Sequence, residues 1–226
     1  MKYIDFEYII SPERMRRYLI ACNNDTKKAM TLYRYNLRLS QEMYAVISCF
    51  DVSLRNKIDL EMKSHYGNNW LRDAIMPNGI FSSDSRVDGT KKIIKKAYNN
   101  LLIARKYSHS RLLTEMDFGI WKYMFNNVQY RLTGRCLLNI FPNKPTSNIN
   151  LKYNNAYIFN ELDFVNHFRN RIAHNEPICF GCTKTIDTQN VLYCYNIIIR
   201  LFNWMDIDSK PLLYGLDHVN TVLEKI

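Results

Sequence analysis

The stretch from Thr26 to His65 contains neither glycine nor proline. Its apolar residues recur at steps of three and four, the spacing that places side chains on one face of an α-helix. These residues are Met30, Tyr33, Leu37, Tyr44, Ile47, Leu54, Ile58 and Met62. Ser40 is of a type favoured at helix N-caps, so a second helix could begin there. The pattern predicts long packed helices and disfavours a fold of short strands joined by turns.

The rest of the chain is also poor in residues that end helices. Its 226 residues include only 7 glycines and 6 prolines. Near the N-terminus, Ser11, Pro12 and Glu13 form a helix start. A hydroxyl N-cap, a proline in the first position and an acid near the positive helix end each favour one. We expect this helix to end at about Cys22.

Two further helical patterns lie in the second half of the chain, over residues 153–175 and 188–205. Between the predicted helices, residues 76–89 and 139–150 combine proline with several small polar residues, which is typical of loops. Neither a βαβ unit nor a series of hairpins is evident. We therefore predict an all-α fold in a single domain that spans residues 1–226.

The chain has an excess of positive charge, with 31 Lys and Arg against 21 Asp and Glu and a net charge of +10. A surface with such an excess attracts polyanions, of which nucleic acid is the commonest. Lys91, Lys92, Lys95 and Lys96 follow one another on a predicted helix and are candidates for RNA binding. The alternative is an ordinary solvated helix face on a generally basic surface.

Several classes of protein are disfavoured. The N-terminal residues lack the apolar segment of a signal peptide, and no apolar run approaches the roughly 20 residues needed to span a bilayer. We therefore expect a cytoplasmic protein with no membrane partner. Cys179 and Cys182 form a lone CxxC pair, with no second pair at zinc-finger spacing. We expect reduced thiols and neither a metal ion nor another cofactor.

The segment FRNRIAHNEPI (168–178) concentrates the polar groups of greatest chemical interest: Arg169, Asn170, Arg171 and His174. At about 100° per residue, Asn170 and Arg171 lie close to His174 around a helix, and Arg169 lies about 140° away, within reach of a long guanidinium. The alternative explanation is that cations near a helix C-terminus suit the helix dipole.

These residue types fit the cleavage of RNA without a metal ion. That reaction needs a base to take the proton of the 2′-hydroxyl and a cation to hold the phosphate as charge develops. Histidine has an ordinary pKa near neutral pH, and the planar guanidinium of arginine binds phosphate oxygens. The catalytic candidates are Arg169, Asn170 and His174, with the Asn170 amide orienting a partner. Arg171 is a candidate for RNA binding.

A second Arg-Asn pair occurs in the segment FDVSLRN (50–56). Asp51 and Arg55 are four residues apart on the predicted long helix, and Asn56 follows them. A surface ion pair worth a few tenths of a kcal/mol is one explanation. The other is a polar patch that supports the site around His174.

Four segments resemble the Abi-D/Abi-F, or Abi-like, family of abortive-infection proteins, which belongs to the HEPN superfamily of ribonucleases. They occur in the family's order and cover most of the chain. The segments are SPERMRRYL (11–19), LYRYNLRLSQEMYAVISCFDVSLRN (32–56), TEMDFGIWKYMF (114–125) and LDFVNHFRNRIAHNEPI (162–178). The last of them contains the R-N-x3-H form of the superfamily motif.

The resemblance implies a HEPN-like helical bundle with additional helices. It also implies a metal-independent endoribonuclease toxin that acts in phage defence and forms a homodimer with a composite cleft. Arg169, Asn170 and His174 match the catalytic motif, while Asp51 and Arg55, with Asn56 beside them, resemble supporting positions. The sequence departs from many HEPN toxins in one respect. The residue two positions after the motif histidine is Glu176, where those toxins have a tyrosine that a partner enzyme modifies.

Two functions remain open at this stage. The first is a ribonuclease toxin that leaves 2′,3′-cyclic phosphate ends and is restrained by a structured noncoding RNA antitoxin. The second is a non-catalytic module that binds structured RNA through the same basic surface. A membrane protease is discounted, because that class needs several transmembrane helices.

Overall fold

A computed structural model describes residues 1–181 and 185–226 of the protein. Within those ranges the regular structure is helical, apart from one isolated antiparallel bridge between Phe180 and Ile186, and the predicted all-α fold is confirmed. The α-helices are α1 (Tyr3–Ile10), α2 (Pro12–Ala21), α3 (Thr26–Tyr66), α4 (Trp70–Asp73), α5 (Asp88–Ile103), α6 (His109–Thr114), α7 (Phe118–Tyr123), α8 (Asn127–Leu132), α9 (Asn155–Ala173), α10 (Gln189–Trp204), α11 (Ser209–Leu212) and α12 (Val219–Leu223). Short 3₁₀ segments cover Ile80–Ser82, Ser85–Val87 and Cys136–Ile140.

Helix α3 is continuous, so the expectation that Ser40 could begin a second helix is wrong. The Ser40 hydroxyl instead donates a hydrogen bond to the backbone carbonyl of Asn36, at 3.0 Å, within the same helix. Leu39 and Met43, on either side of Ser40 in the sequence, are fully buried. Packing of these apolar neighbours keeps the helix intact through a residue that elsewhere would favour a helix start.

Helix α2 begins as predicted. The Ser11 side chain accepts a hydrogen bond from the backbone amide of Arg14 at 3.3 Å, Pro12 is the first helical residue, and Glu13 lies in the first turn. The helix ends at Ala21, within a residue of the predicted end. The local sequence is therefore sufficient to define both ends of this helix.

The chain forms two compact units. The first contains residues 1–49, 167–199 and 209–226, and the second contains residues 50–166 and 200–208. Helices α3, α9 and α10 each contribute residues to both units. The single domain expected from the sequence stays a prediction.

An aromatic cluster forms the core of the first unit. The Tyr18 ring packs edge to face against Tyr33 and Phe180, with ring centres 5.3 and 5.2 Å apart, and Phe6 packs on Tyr33 in the same way. Met15 is fully buried beside them. Such edge-to-face pairs add roughly 0.5–1.5 kcal/mol to the burial of the rings. The cluster therefore joins α1, α2 and α3 to the segment that follows α9.

The core of the second unit is also aromatic. Phe50 packs edge to face on Phe202 and tilted on Phe118, and all three side chains are fully buried. Trp70 and Trp121 are buried in the same unit. No helix within the described residues is long and apolar enough to cross a membrane.

Candidate catalytic site at the end of helix α9

The residues of the R-N-x3-H motif lie at the C-terminal end of α9, in the first unit. Phe168 and Ile172 are buried and anchor this end of the helix in the core. Arg169 and Asn170 are half-buried, and His174 is exposed just beyond the last helical residue. The apolar residues thus fix the helix while the motif side chains remain at the surface.

A Schellman motif ends the helix at the motif histidine. The backbone amide of His174 still bonds to the carbonyl of Asn170 at 2.9 Å. The chain then turns, because Asn175 has a left-handed conformation with φ 54°. The amide of Asn175 donates to the carbonyl of Ile172, and the amide of Glu176 donates to the carbonyl of Arg171, both at 2.9 Å. His174 is therefore held at the helix cap by backbone bonds on both sides.

Helix α9 runs from Asn155 to Ala173, two residues shorter at each end than the predicted pattern over 153–175. The helix ends there because Asn175 turns left-handed, a conformation that asparagine tolerates better than most residues.

The chain after the turn is held by side chains that cap its backbone. Arg171 donates through Nη2 to the carbonyl of Pro177 at 2.7 Å, and its Nε lies 3.3 Å from the Glu176 carboxylate. The side-chain oxygen of Asn36 on α3 accepts hydrogen bonds from the amides of Ile178 and Cys179, at 2.8 and 3.1 Å. Asn36 is only 2% exposed, and Ile178 and Cys179 are fully buried. The Asn36 oxygen therefore satisfies two amides that water does not easily reach.

Helix α2 supplies two more contacts to the same segment. Arg14 donates through Nη1 to the carbonyl of Asn175 at 2.7 Å. Arg17 donates to the carbonyl of Gly181 at 2.6 Å, and its guanidinium lies 4.6 Å from the centre of the Phe180 ring. No local sequence pattern singles out Arg14, Arg17 or Asn36. They lie on predicted helices, but their partners are far away in the sequence.

Arg169, Asn170 and His174 differ from Arg171 in their contacts. Within residues 1–181 and 185–226, their side chains form no hydrogen bond or ion pair with the protein. Arg171, the fourth polar residue of the motif, has a structural role in the turn. Its predicted contact with RNA stays a prediction. Among the described residues, the first three side chains therefore have no polar partner that would compete with a ligand.

The remaining candidates lie in the second unit. Asp51 and Arg55 are half-buried and Asn56 is exposed, all on α3. Their supporting role stays a prediction. The lysine run lies on α5, where Lys91 is half-buried and Lys92, Lys95 and Lys96 are exposed. These lysines lie outside the buried face of α5, which contains Ile94, Ala97 and Leu101. Their positions are compatible both with RNA binding and with an ordinary solvated helix face.

The cysteine pair gives limited information. Cys179 is fully buried, and burial raises the pKa of its thiol to about 12. Cys182 lies outside the described residues.

Elsewhere in the described chain, Glu61, His65 and Cys136 have potential ligand atoms that all lie within 4.8 Å of one another, in the second unit. The sequence gives little indication of this group. Glu61 and His65 have a four-residue spacing, but Cys136 is far from both in the sequence.

These features define a basic, all-helical protein that presents an arginine and a histidine at a capped helix end. Comparison with protein families matches residues 4–179 to the family described as Abi-like protein. The chain belongs to this family, which suggests a role in abortive infection. A search of curated proteins found no match, and neither did a search of solved structures.

Proposed function

We propose that the protein is a metal-independent endoribonuclease toxin of an abortive-infection or toxin–antitoxin system that defends against phage. Family membership supports the defence role. The observation that carries the enzymatic proposal is the end of α9, where backbone bonds hold His174 in place. Near it, Arg169 and Asn170 likewise have no side-chain partner among the described residues. These side chains have no polar partner in the described chain that would compete with a ligand, and a phosphodiester suits all three.

The proposed reaction needs only these side chains and the RNA. His174 takes the proton of a 2′-hydroxyl, and the freed oxygen attacks the adjacent phosphorus. The bond from phosphorus to the 5′-oxygen breaks, and that oxygen receives a proton. The products are a 2′,3′-cyclic phosphate and a 5′-hydroxyl. Arg169 stabilises the charge that develops on the phosphate oxygens, and the Asn170 amide orients the group.

A single Arg/His pair makes a sparse active site, because one histidine must serve as both base and acid. We therefore propose a homodimer in which the two motif helices contribute to one cleft. One His174 then takes the 2′-proton while the other supplies a proton to the leaving oxygen.

A toxin of this kind must be restrained, and a structured noncoding RNA is the proposed antitoxin. The net charge of +10 favours a polyanion. Tyr8, Tyr44 and Tyr214 are exposed and can stack on unpaired bases. The same charge also supports the second candidate function, a non-catalytic module that binds structured RNA.

The deciding experiment compares wild type with His174→Ala, expressed without neighbouring genes. We expect the variant to lose toxicity and to cleave RNA roughly 10²–10⁴-fold more slowly, while its circular dichroism and thermal unfolding stay unchanged. His218→Ala is the matched control, since His218 is an exposed histidine of the same unit that lies outside the motif. Cleavage should continue in EDTA.

Sequencing of RNA ends from the same cells shows whether the fragments depend on His174. Light scattering on the purified proteins gives their mass, and a monomer both free and RNA-bound would exclude the dimer. If His174→Ala is as toxic as wild type and gives the same fragments, the motif is not the active site. A wild-type protein that is not toxic and that co-purifies with a discrete RNA would instead support the non-catalytic binding module.

A further inference from the structure

We propose that Glu61, His65 and Cys136 form a zinc site. Their potential ligand atoms all lie within 4.8 Å of one another. Glu61 and His65 are one helical turn apart on α3, and Cys136 begins the 3₁₀ segment Cys136–Ile140. The ion would tie that segment to the helix. This inference concerns the second unit and does not rest on the proposed ribonuclease activity.

The turn before Cys136 is shaped to bring its thiol against α3. Gly134 and Arg135 both have left-handed conformations, with φ 67° and 61°. A side chain at Gly134 would be strained at this φ and would contact the Tyr66 hydroxyl, which lies 3.2 Å from where a Cβ would be. Tyr66 is the residue after His65 on α3. The backbone thus passes close to the Tyr66 side chain just before Cys136.

The distances are close to those that a tetrahedral ion needs. Zinc bonds of about 2.0–2.3 Å place neighbouring ligand atoms about 3.3–3.6 Å apart. His65 Nε2 and Glu61 Oε1 are already 3.1 Å apart, in a hydrogen bond that zinc would replace once the ring proton lies on Nδ1. No two ligand atoms in the group are more than 4.8 Å apart. Shifts of about 1 Å in the side-chain positions would therefore bring all three atoms to zinc-binding distance.

The charges of the ligands also suit zinc, since the buried Cys136 thiol lies close to the Glu61 carboxylate. The neutral thiol donates a hydrogen bond to the carbonyl of Thr133 at 3.1 Å. Zinc would replace the thiol proton, which passes to water, and the resulting thiolate and Glu61 would balance the two charges of the ion.

Further contacts suit a metal site with access to solvent. The Asn139 side-chain amide donates to Glu61 Oε1 at 2.9 Å and so orients the carboxylate. The side chain of His65 is 48% exposed, which gives the ion a path from water and leaves a fourth position for a water molecule. A set of one sulfur, one nitrogen and one oxygen ligand favours zinc over magnesium or calcium, which prefer oxygen ligands.

The test uses the full chain, reduced and freed of metal with EDTA, which is then removed. Titration with cobalt(II), the spectroscopic substitute for zinc, should give one equivalent of binding, a thiolate-to-cobalt charge-transfer band and tetrahedral d–d bands. Zinc should displace the cobalt and raise the melting temperature. Absence of the bands, together with a melting temperature that zinc leaves unchanged, would overturn the proposal.

Variants assign the ligands. Cys136→Ser keeps a hydroxyl to bond to Thr133 but should lose the charge-transfer band, whereas Cys22→Ser and Cys182→Ser should keep it. Should Cys136→Ser fail to fold, His65→Gln at a half-exposed position serves instead and should weaken cobalt binding. Asn139→Ala should weaken it about 10- to 100-fold through the orientation of Glu61. Unchanged spectra in the Cys136 or His65 variant would exclude this site.

Discussion

Arg14 donates a hydrogen bond of 2.7 Å to the backbone carbonyl of Asn175, the residue that follows the motif histidine. The two residues are 161 positions apart in the sequence, and the bond joins α2 to the left-handed turn that ends α9. The residue next to His174 is therefore held by a contact from a helix near the N-terminus of the chain.

We predict that Arg14→Ala lowers RNA cleavage roughly 10- to 100-fold, because His174 is positioned less accurately. The free energy of unfolding should fall by less than about 1 kcal/mol, since Arg14 is exposed. Single-turnover cleavage and urea unfolding measure the two effects. Arg16→Ala, an exposed arginine on the same helix, should leave both unchanged. Equal cleavage by the Arg14 and Arg16 variants would rule out the positioning role.

Asn36 has a structural task that predicts a large loss of stability on substitution. Asn36→Ala leaves the amides of Ile178 and Cys179 buried without an acceptor. At about 1–3 kcal/mol for each of the two unsatisfied amides, we expect the free energy of unfolding to fall by roughly 2–6 kcal/mol. Guanidinium unfolding measures this change, with the exposed Asn220→Ala as control. A loss below about 0.5 kcal/mol would show that water or a shifted backbone replaces the Asn36 oxygen.

Asp59 in the second unit predicts a loss of stability in acid. Burial alone would raise the pKa of its carboxyl, but hydrogen bonds from His109, Lys63 and Trp70 outweigh burial and hold the pKa below its ordinary value of 3.8. The stabilisation is therefore complete above the unfolded-state pKa of about 4 and is lost as pH falls through the lower folded-state pKa.

Thermal unfolding between about pH 6 and pH 2 tests this linkage. We expect the melting temperature of Asp59→Asn to be lower than that of wild type at pH 6 and the difference to narrow as pH falls. Asp5→Asn, which changes an exposed carboxyl, should follow the wild-type curve. A constant difference across the whole range would mean that the Asp59 charge does not contribute.

The basic charge predicts that RNA binding weakens steeply with salt. Each phosphate contact to single-stranded RNA should contribute about −0.7 to the slope of log affinity against log salt. Replacing Lys92, Lys95 and Lys96 with glutamine should reduce that slope by about 2 if α5 contacts RNA. The control is a triple variant with the same change in charge, at the exposed residues Lys27, Lys28 and Lys225. Equal slopes for the two triple variants would identify the α5 run as a solvated face.

The sequence predicted a helix well where its start signals were strong or where residues that break helices were absent. Helix α2 has a cap, a first-position proline and an acid at its start, and the α3 region lacks any breaker. Ser40 shows the limit of such reasoning, because its preference for a helix start is weak beside the burial of its neighbours. Helix α9 ends two residues before the predicted end, where the chain turns left-handed at Asn175 and Arg14 of another helix bonds to the Asn175 carbonyl.

The candidate site was predictable only in its residue types. Arg169, Asn170 and His174 were selected from a short motif, but their lack of side-chain partners in the described chain is visible only in three dimensions. Local patterns do not indicate the roles of Asn36 and Cys136, because each lies close in space to residues that are far away in the sequence. Contacts of this range depend on the packing of several helices, which periodicity does not encode.

The left-handed turn at Asn175 has a use in reading other sequences. An arginine and a histidine five residues apart occur often by chance inside ordinary helices, where no special residue need follow. A histidine at a Schellman-capped end needs a successor that adopts positive φ with little strain, which means glycine or asparagine above all. Extending the pattern by one position, to R-N-x3-H followed by Asn or Gly, would separate motifs presented at a helix end from chance matches.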